Sequence, residues 1–103
     1  MGSIRFYYRN NCAHSQMMLA AFKKYQVKYE LLDVSQQNSE QAIRLIELTK
    51  GYLSVPTLEF PEGEILIEPG VNQCIQHISI NYPDLLQKPK SFWQTLFKKK
   101  GQS

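Results

Sequence analysis

Residues 4–25 read IRFYYRNNCAHSQMMLAAFKKY, and this segment sets the architecture of the chain. Residues 4–8 are mostly β-branched or aromatic and predict a short strand, which the polar residues 9–11 end as a turn. Over residues 13–25, apolar side chains recur at steps of three and four, a spacing that forms an apolar stripe only on a helix. The predicted stripe consists of Met17, Met18, Ala21, Phe22 and Tyr25. A strand that passes directly into a helix is the first half of a β-α-β unit.

The following segment continues the alternation of strands and helices. Residues 28–34 alternate in side-chain character and predict a second strand. Ser39 opens a second helix, and Gly51 ends it in the position where glycine is common after helices. The predicted inner face of this helix consists of Ile43, Leu45, Ile46 and Leu48.

The last part of the domain predicts a hairpin and a third helix. Residues 55–60 and 65–67 read as two strands joined by the tight turn at residues 61–64. An apolar stripe that begins at Val71 stops before Pro83 and predicts the helix. The order β-α-β-α-β-β-α indicates an α/β domain, with a small mixed sheet and helices packed on its faces.

Composition places limits on the class of protein. With 103 residues, 43% of them hydrophobic, the chain has enough apolar surface for one core, and we expect a soluble, cytoplasmic protein without a signal peptide or membrane span. We divide it into a domain at residues 1–87 and a basic tail at residues 88–103, which holds five lysines and no acid. The net charge of the domain is then −2, so nucleic acid is not an expected partner.

The tail has aromatic and aliphatic side chains on one helical face, followed by Lys98, Lys99 and Lys100. A basic amphipathic segment of this kind binds an anionic membrane or a partner protein. The simpler interpretation is that Trp93 and Phe97 pack back onto the domain while the lysines stay in solvent.

The two cysteines receive opposite interpretations. Cys12 falls where the first strand passes into the first helix, so the positive end of the helix would lower the pKa of its thiol, and Arg9 would add a second favourable charge. Cys74 lies on the inner stripe of the third helix, where a packed, unreactive thiol is expected. The sequence shows no metal-ligand spacing and leaves a Cys12–Cys74 disulfide open. Because ligands bind at the carboxyl ends of parallel strands, we expect Cys12 to meet the segment Ser54-Val55-Pro56 there.

These motifs together resemble a known family. The tetrad Cys12-Ala13-His14-Ser15 resembles the redox motif of the thioredoxin superfamily, and residues 7–12 are similar to the segment that precedes the reactive cysteine in glutaredoxins. Residues 54–57 are similar to the family's T-V-P segment, and residues 55–69 resemble mycoredoxin and related bacterial glutaredoxin-like proteins. The resemblance spans about residues 4–80 and implies a thioredoxin-like (glutaredoxin) fold, with a central four-stranded mixed sheet and helices on both faces. It also implies a thiol–disulfide oxidoreductase that uses glutathione or a similar thiol.

The resemblance assigns the chemistry to Cys12, which would attack as the thiolate. Ser15 stands where dithiol members have a second cysteine, so an internal disulfide between these two positions is impossible and a one-thiol route remains. The Ser15 hydroxyl would donate to the Cys12 thiolate. A natural serine at position 15 and a serine introduced there by mutagenesis in place of cysteine give the same sequence.

The resemblance also assigns the contacts with the low-molecular-weight thiol. Arg9 would bind a terminal carboxylate, the backbone of Val55 would pair with the cysteinyl unit, and Pro56, if cis, would shape the groove. Glu68, Pro69 and Gly70 stand where the family has a G-G turn followed by an acid, a departure that leaves glutathione, bacillithiol and mycothiol all open.

The two histidines are weaker candidates. His14 either supports the Cys12 thiolate and contacts the substrate or is a solvated residue at the helix start, and the solvated reading is the simpler one. His77 is expected to lie at the boundary of the core.

Two alternatives keep the fold and change the function. A monothiol glutaredoxin holds a [2Fe-2S] cluster between two protomers, but Ala13-His14 replaces the Gly-Phe of that class and the loop before Cys12 is short. A catalytically inactive binding module is the other, and the intact Cys12 argues against it. The expected partners of the active protein, taken as a monomer, are glutathionylated or disulfide-bearing proteins.

Overall fold

The structure is a computed structural model that describes residues 2–86. The predictions for the basic tail at residues 88–103 therefore lie outside the described residues. The strands are β1 (Ile4–Tyr8), β2 (Tyr29–Asp33), β3 (Thr57–Glu59) and β4 (Ile65–Ile67). The helices are α1 (Ala13–Lys24), α2 (Glu40–Thr49) and α3 (Val71–Asn81), followed by a 3-10 turn at Pro83–Leu85 that the sequence did not predict.

The four strands form one mixed sheet in the order β2-β1-β3-β4. β1 pairs with β2 in parallel, with Ile4 opposite Tyr29, because α1 carries the chain back between them. β3 runs antiparallel to both β1 and β4, which confirms the predicted hairpin. Within residues 2–86, no helix combines the length and the apolarity needed to cross a bilayer.

Alternate side chains of β1 enter two separate apolar clusters. Ile4 and Phe6 face α1 and α3, where Phe22 packs edge-on against Phe6 with ring centroids 5.1 Å apart. Tyr7 points to the other face and packs with residues that include Leu45 of α2. Because successive strand residues point to opposite faces, a single central strand anchors helices on both sides of the sheet.

The face that each helix buries differs in part from the prediction. Met18 is fully buried while Met17 is 62% exposed, because adjacent helical residues point about 100° apart and only one of them can face the sheet. On α2, Ala42 and Leu45 are buried and Ile43 is 50% exposed. The helical period is kept in both; the stripe of α1 is rotated by about one residue, whereas on α2 Leu45 is buried as predicted and only the edge of the stripe differs.

Element ends also differ from the prediction at two places. β3 begins at Thr57 rather than at residue 55, since Pro56 has no N–H to contribute to a ladder. α2 ends at Thr49, where Lys50 rather than glycine adopts the left-handed conformation with φ 60°. Gly51 follows with φ 118°, and its N–H donates to Ile46 O at 2.8 Å.

His77 joins the hairpin to α3 at the boundary of the core, as expected. Its Nε2 donates to Glu64 Oε1 at 2.9 Å, and the Tyr82 hydroxyl donates to the same oxygen at 2.7 Å. These two bonds lower the pKa of Glu64, and the carboxylate raises the pKa of Tyr82 to about 12. The turn between β3 and β4 is thereby fixed against the last helix.

We expect Met18→Ala to destabilise the domain by about 2–5 kcal/mol because it leaves a cavity under the sheet. Met17→Ala is the matched control and should change the free energy of unfolding by less than about 0.5 kcal/mol, since this side chain is mainly in solvent. Urea unfolding followed by circular dichroism measures both. Equal losses would contradict the observed face of α1.

Candidate active site

Cys12 lies between β1 and α1 as the residue that caps the helix. Its backbone is still extended, with φ −106° and ψ 116°, so it continues the direction of the strand while the helix begins at the next residue. The Ser15 N–H donates to Cys12 Sγ at 3.4 Å, and Sγ thus takes the place of the oxygen that usually caps a helix. The Cys12 N–H donates to Arg9 O at 3.2 Å and closes the turn.

The segment before β3 forms the second side of the site, as the sequence predicted. The peptide bond between Val55 and Pro56 is cis, and the carbonyl oxygen of Val55 lies 3.9 Å from Cys12 Sγ. Pro56 is buried, and its carbonyl accepts the Glu68 N–H at 2.8 Å. The fold therefore brings three distant segments of the chain around one half-buried sulfur atom.

The environment of Cys12 favours the thiolate. The Ser15 hydroxyl makes the largest contribution to lowering the pKa of Cys12, followed by the Ser15 and His14 backbone N–H groups; burial and the negative charge of Glu68 act in the opposite direction. The groups that lower this pKa belong to the start of α1, and the predicted contribution of the Arg9 charge stays a prediction. Hydrogen bonds from the helix start are the main groups that stabilise the thiolate.

Ser15 is fully buried, and its Oγ has no hydrogen-bond partner among the described residues. A neutral thiol is a weak acceptor, whereas a thiolate attracts a nearby hydroxyl strongly. The Ser15 hydroxyl lacks a partner when Cys12 is neutral, yet it lowers the pKa of Cys12. Both are explained if the hydroxyl donates a hydrogen bond to the sulfur only when the sulfur is ionised.

Cys74 differs from Cys12 in burial and in the direction in which its pKa is shifted. Both thiols are free, so the disulfide that the sequence left open is absent. Cys74 is fully buried on α3 within the larger apolar cluster, and burial raises the pKa of its thiol to about 12. The predicted structural role is confirmed.

Arg9 borders an open polar depression of about 430 Å³ on the β2 side of the site. Its other lining residues are Asn10, Asn11, Ser35 and Gln37. Arg9 helps to lower the pKa of Asp33, after the larger effect of the hydrogen bonds from Ser35. Ser35 and Gln37 were not predicted from the sequence, although both follow β2, whose carboxyl end lies beside that of β1.

The segment Glu68–Gly70 lies on the opposite side of Cys12. Glu68 has φ 51°, a left-handed conformation that is uncommon for a residue with a side chain, and Gly70 caps α3. His14 reaches this segment, and its Nε2 donates to the carbonyl oxygen of Pro69 at 2.9 Å. The reading of His14 as a solvated residue is therefore wrong, because its ring is half-buried in a contact between α1 and the segment before α3.

A family model described as glutaredoxin matches residues 4–65, which include both Cys12 and the cis proline. The chain belongs to the glutaredoxin family. It is similar to the crystal structure of a mutant of the thioredoxin-like protein BC3987, with a TM-score of 0.62 and 26% sequence identity. That similarity covers 79% of this chain and 100% of the other, and it confirms the thioredoxin-like fold. No curated protein sequence matches the chain significantly.

We expect the native protein to present one reactive thiol. Iodoacetamide should alkylate Cys12 at a rate that stays high as the pH falls below the ordinary pKa of a thiol, because its thiolate persists at lower pH. Cys74 should react only after unfolding, since it is buried and its pKa is about 12. Peptide mapping by mass spectrometry identifies the labelled residue, and labelling of Cys74 in the folded protein would contradict its placement.

Ser15→Ala should raise the pKa of Cys12, because the hydroxyl that stabilises the thiolate is lost. It should not reduce stability at a pH where the thiol is protonated, since the buried hydroxyl then has no partner to lose. Thiolate absorbance against pH and urea unfolding measure the two effects. Ser39→Ala is the control, because it removes the cap of α2 and should lower stability by about 1 kcal/mol while the Cys12 pKa stays unchanged.

Proposed function

We propose that this protein is a thiol–disulfide oxidoreductase that removes glutathione, or a similar thiol, from protein mixed disulfides by a one-thiol route. Cys12 is the nucleophile. The observation that carries the proposal is the half-buried Cys12 sulfur at the start of α1, beside Val55, with its pKa lowered by groups of the helix start. A thiolate in this position is the reactive form in disulfide exchange.

The reaction consists of two exchanges. The Cys12 thiolate attacks the glutathione sulfur of the mixed disulfide, the disulfide bond breaks, and the sulfur of the substrate protein leaves as a thiolate that takes a proton from water. A new disulfide then joins Cys12 to glutathione. The thiolate of a second glutathione attacks the glutathione sulfur of this disulfide, releases oxidised glutathione and restores the Cys12 thiolate. In the net reaction the thiol of the second glutathione is oxidised to the disulfide level, the sulfur of the substrate protein is reduced to a thiol, and both glutathionyl units leave together as oxidised glutathione.

No thiol of this chain is placed to resolve the disulfide between Cys12 and glutathione, as the residues at positions 15 and 74 indicate. Ser15 occupies the place from which a cysteine would resolve the intermediate, and a hydroxyl cannot form a disulfide. Cys74 is sealed in the core with a pKa of about 12, so it does not reach Cys12 in the folded chain. The second thiol of the cycle therefore comes from solution.

The groups around Cys12 are suited to a peptide-like thiol with a carboxylate at one end and an amino group at the other. The Arg9 guanidinium has no ion pair among the described residues, while Asp33 is occupied by Ser35 through bonds of 2.9 Å and 2.6 Å. Arg9 is thus available to a carboxylate. The Val55 N–H has no partner within residues 2–86 and is available to pair with an extended peptide unit.

The opposite end of the groove carries the other charge. Glu68 is exposed, and its carboxylate raises the pKa of Cys12 electrostatically, so the carboxylate lies near the sulfur. Within residues 2–86 it forms no ion pair with a cationic side chain. A substrate amino group would complement it. The opposed charges of Arg9 and Glu68 favour one orientation of the bound thiol.

The test is a coupled assay with the mixed disulfide of glutathione and 2-mercaptoethanol, reduced glutathione and glutathione reductase. Cys12→Ser should bring the rate down to the uncatalysed level, because it removes the nucleophile while serine still caps the helix. Cys74→Ala should keep more than half of the activity. Loss of activity in both variants to the same extent would mean that the roles are assigned wrongly.

A wild-type protein that binds the mixed disulfide without turning it over would instead indicate a binding module. Replacing glutathione with bacillithiol or mycothiol in the assay identifies the preferred thiol. A visible absorption spectrum after anaerobic reconstitution with iron and sulfide, lost in Cys12→Ser, would favour the cluster-binding alternative. We propose proteins that carry such mixed disulfides in a reducing compartment as the partners, since the mechanism requires Cys12 to be kept as a thiol.

A further inference from the structure

Two walls of the groove at Cys12 come from distant parts of the chain, and one side chain joins them. The first wall is the start of α1, and the second is the segment Glu68–Gly70 before α3. The His14 imidazole crosses between them, with Nε2 donating to Pro69 O at 2.9 Å. His14 belongs to the same helical turn as Cys12. This bond therefore connects the segment Glu68–Gly70 directly to the helix whose start holds the sulfur.

The segment has few means of holding its own shape. Pro69 has no N–H to donate, and Glu68 adopts the left-handed conformation at φ 51°, which costs free energy for a residue with a Cβ. Glu68 N–H donates to Pro56 O at 2.8 Å, and this bond holds one end of the segment to the cis-proline side. The hydrogen bond from His14 to Pro69 O holds the segment on its other side, against α1.

Among the groups that lower the pKa of Cys12, His14 acts through its backbone N–H, while its ring is bonded to Pro69 O. The contribution of His14 to the environment of Cys12 is its backbone N–H, which every residue except proline would supply at this position. Glu68, in contrast, acts on the sulfur through its charge, and its distance from Cys12 depends on where the segment is held. The role of the imidazole is therefore to hold the segment Glu68–Gly70 in position relative to Cys12.

We propose that His14 is a positioning residue whose imidazole clamps the segment Glu68–Gly70 to α1 and so sets the width of the groove that receives the mixed disulfide. This inference rests on the proposed function for its substrate but not for the clamp itself. Pro69 O is an acceptor, so the clamp requires a donor at the position of His14 Nε2.

Three substitutions at one site separate the hydrogen bond from the shape of the ring. His14→Gln places an amide N–H near the position of Nε2 and should keep the clamp. His14→Asn carries a shorter amide that does not reach, and His14→Phe keeps a ring without a donor. With the glutathione–2-mercaptoethanol mixed disulfide as probe, Asn and Phe should raise KM by about five-fold, the effect of one lost hydrogen bond, with kcat within about two-fold of wild type.

The Gln variant should stay within about two-fold of wild type in both constants. A loss confined to kcat in the Phe and Asn variants, or a Gln variant as impaired as the Phe variant, would overturn the proposal.

A second readout does not depend on turnover. Amide hydrogen exchange of the full chain should show faster exchange of the Glu68 N–H in the Phe and Asn variants than in wild type and the Gln variant. The Gly63 N–H, bonded to Phe60 O at 2.9 Å in the hairpin turn, is the control and should be unchanged. Equal Glu68 exchange in all four proteins would refute the clamp, whereas absent turnover in wild type with the expected exchange pattern would refute only the proposed function.

Discussion

The hydrogen bond from the Ser15 N–H to Cys12 Sγ is the interaction on which the site depends. It requires that Cys12 remain extended while the next residue is helical, so the strand must run into the helix without a loop. The same bond caps α1 and directs the positive end of that helix at the sulfur. One atom thereby serves the stability of the helix and the chemistry of the site.

The sheet supplies the rest of the constellation because of its topology. β1 is central, with β2 parallel on one side and β3 antiparallel on the other, so the end of β1 meets the end of β2 and the start of β3. The first neighbour contributes Ser35 and Gln37 beside Arg9, and the second contributes Val55. Charge then varies across the site, with a cation on the β2 side and the Glu68 carboxylate on the other. A symmetrical pocket would not give a zwitterionic thiol a preferred direction.

The two thiols show how strongly position in the fold decides the pKa of a cysteine. Cys12 and Cys74 are identical side chains, and both lie near the first turn of a helix. Cys74 sits inside the turn and faces the core, where the charged form is disfavoured and the pKa rises to about 12. Cys12 sits one residue before its helix, where N–H groups converge on the sulfur and its pKa falls. The buried hydroxyl of Ser15 adds to this difference once the sulfur is ionised.

The order of elements, the position of Cys12 at the start of α1 and the burial of Cys74 could all be predicted from local sequence, because periodicity and capping depend on neighbouring residues. That the segment Ser54-Val55-Pro56 meets Cys12 was predicted from the order of strands and helices, since ligands bind where parallel strands end, whereas the cis proline was implied by the family resemblance. Local signals failed where one of two neighbouring residues had to be chosen. They did not decide whether Met17 or Met18 of α1 is buried, or whether Lys50 or Gly51 is the first left-handed residue after α2. Packing against the sheet decides the first, and the geometry of the last helical turn decides the second. The hydrogen bond of His14 with Pro69, which lie 55 residues apart, leaves no periodic trace in a single sequence, so only the tertiary structure reveals it.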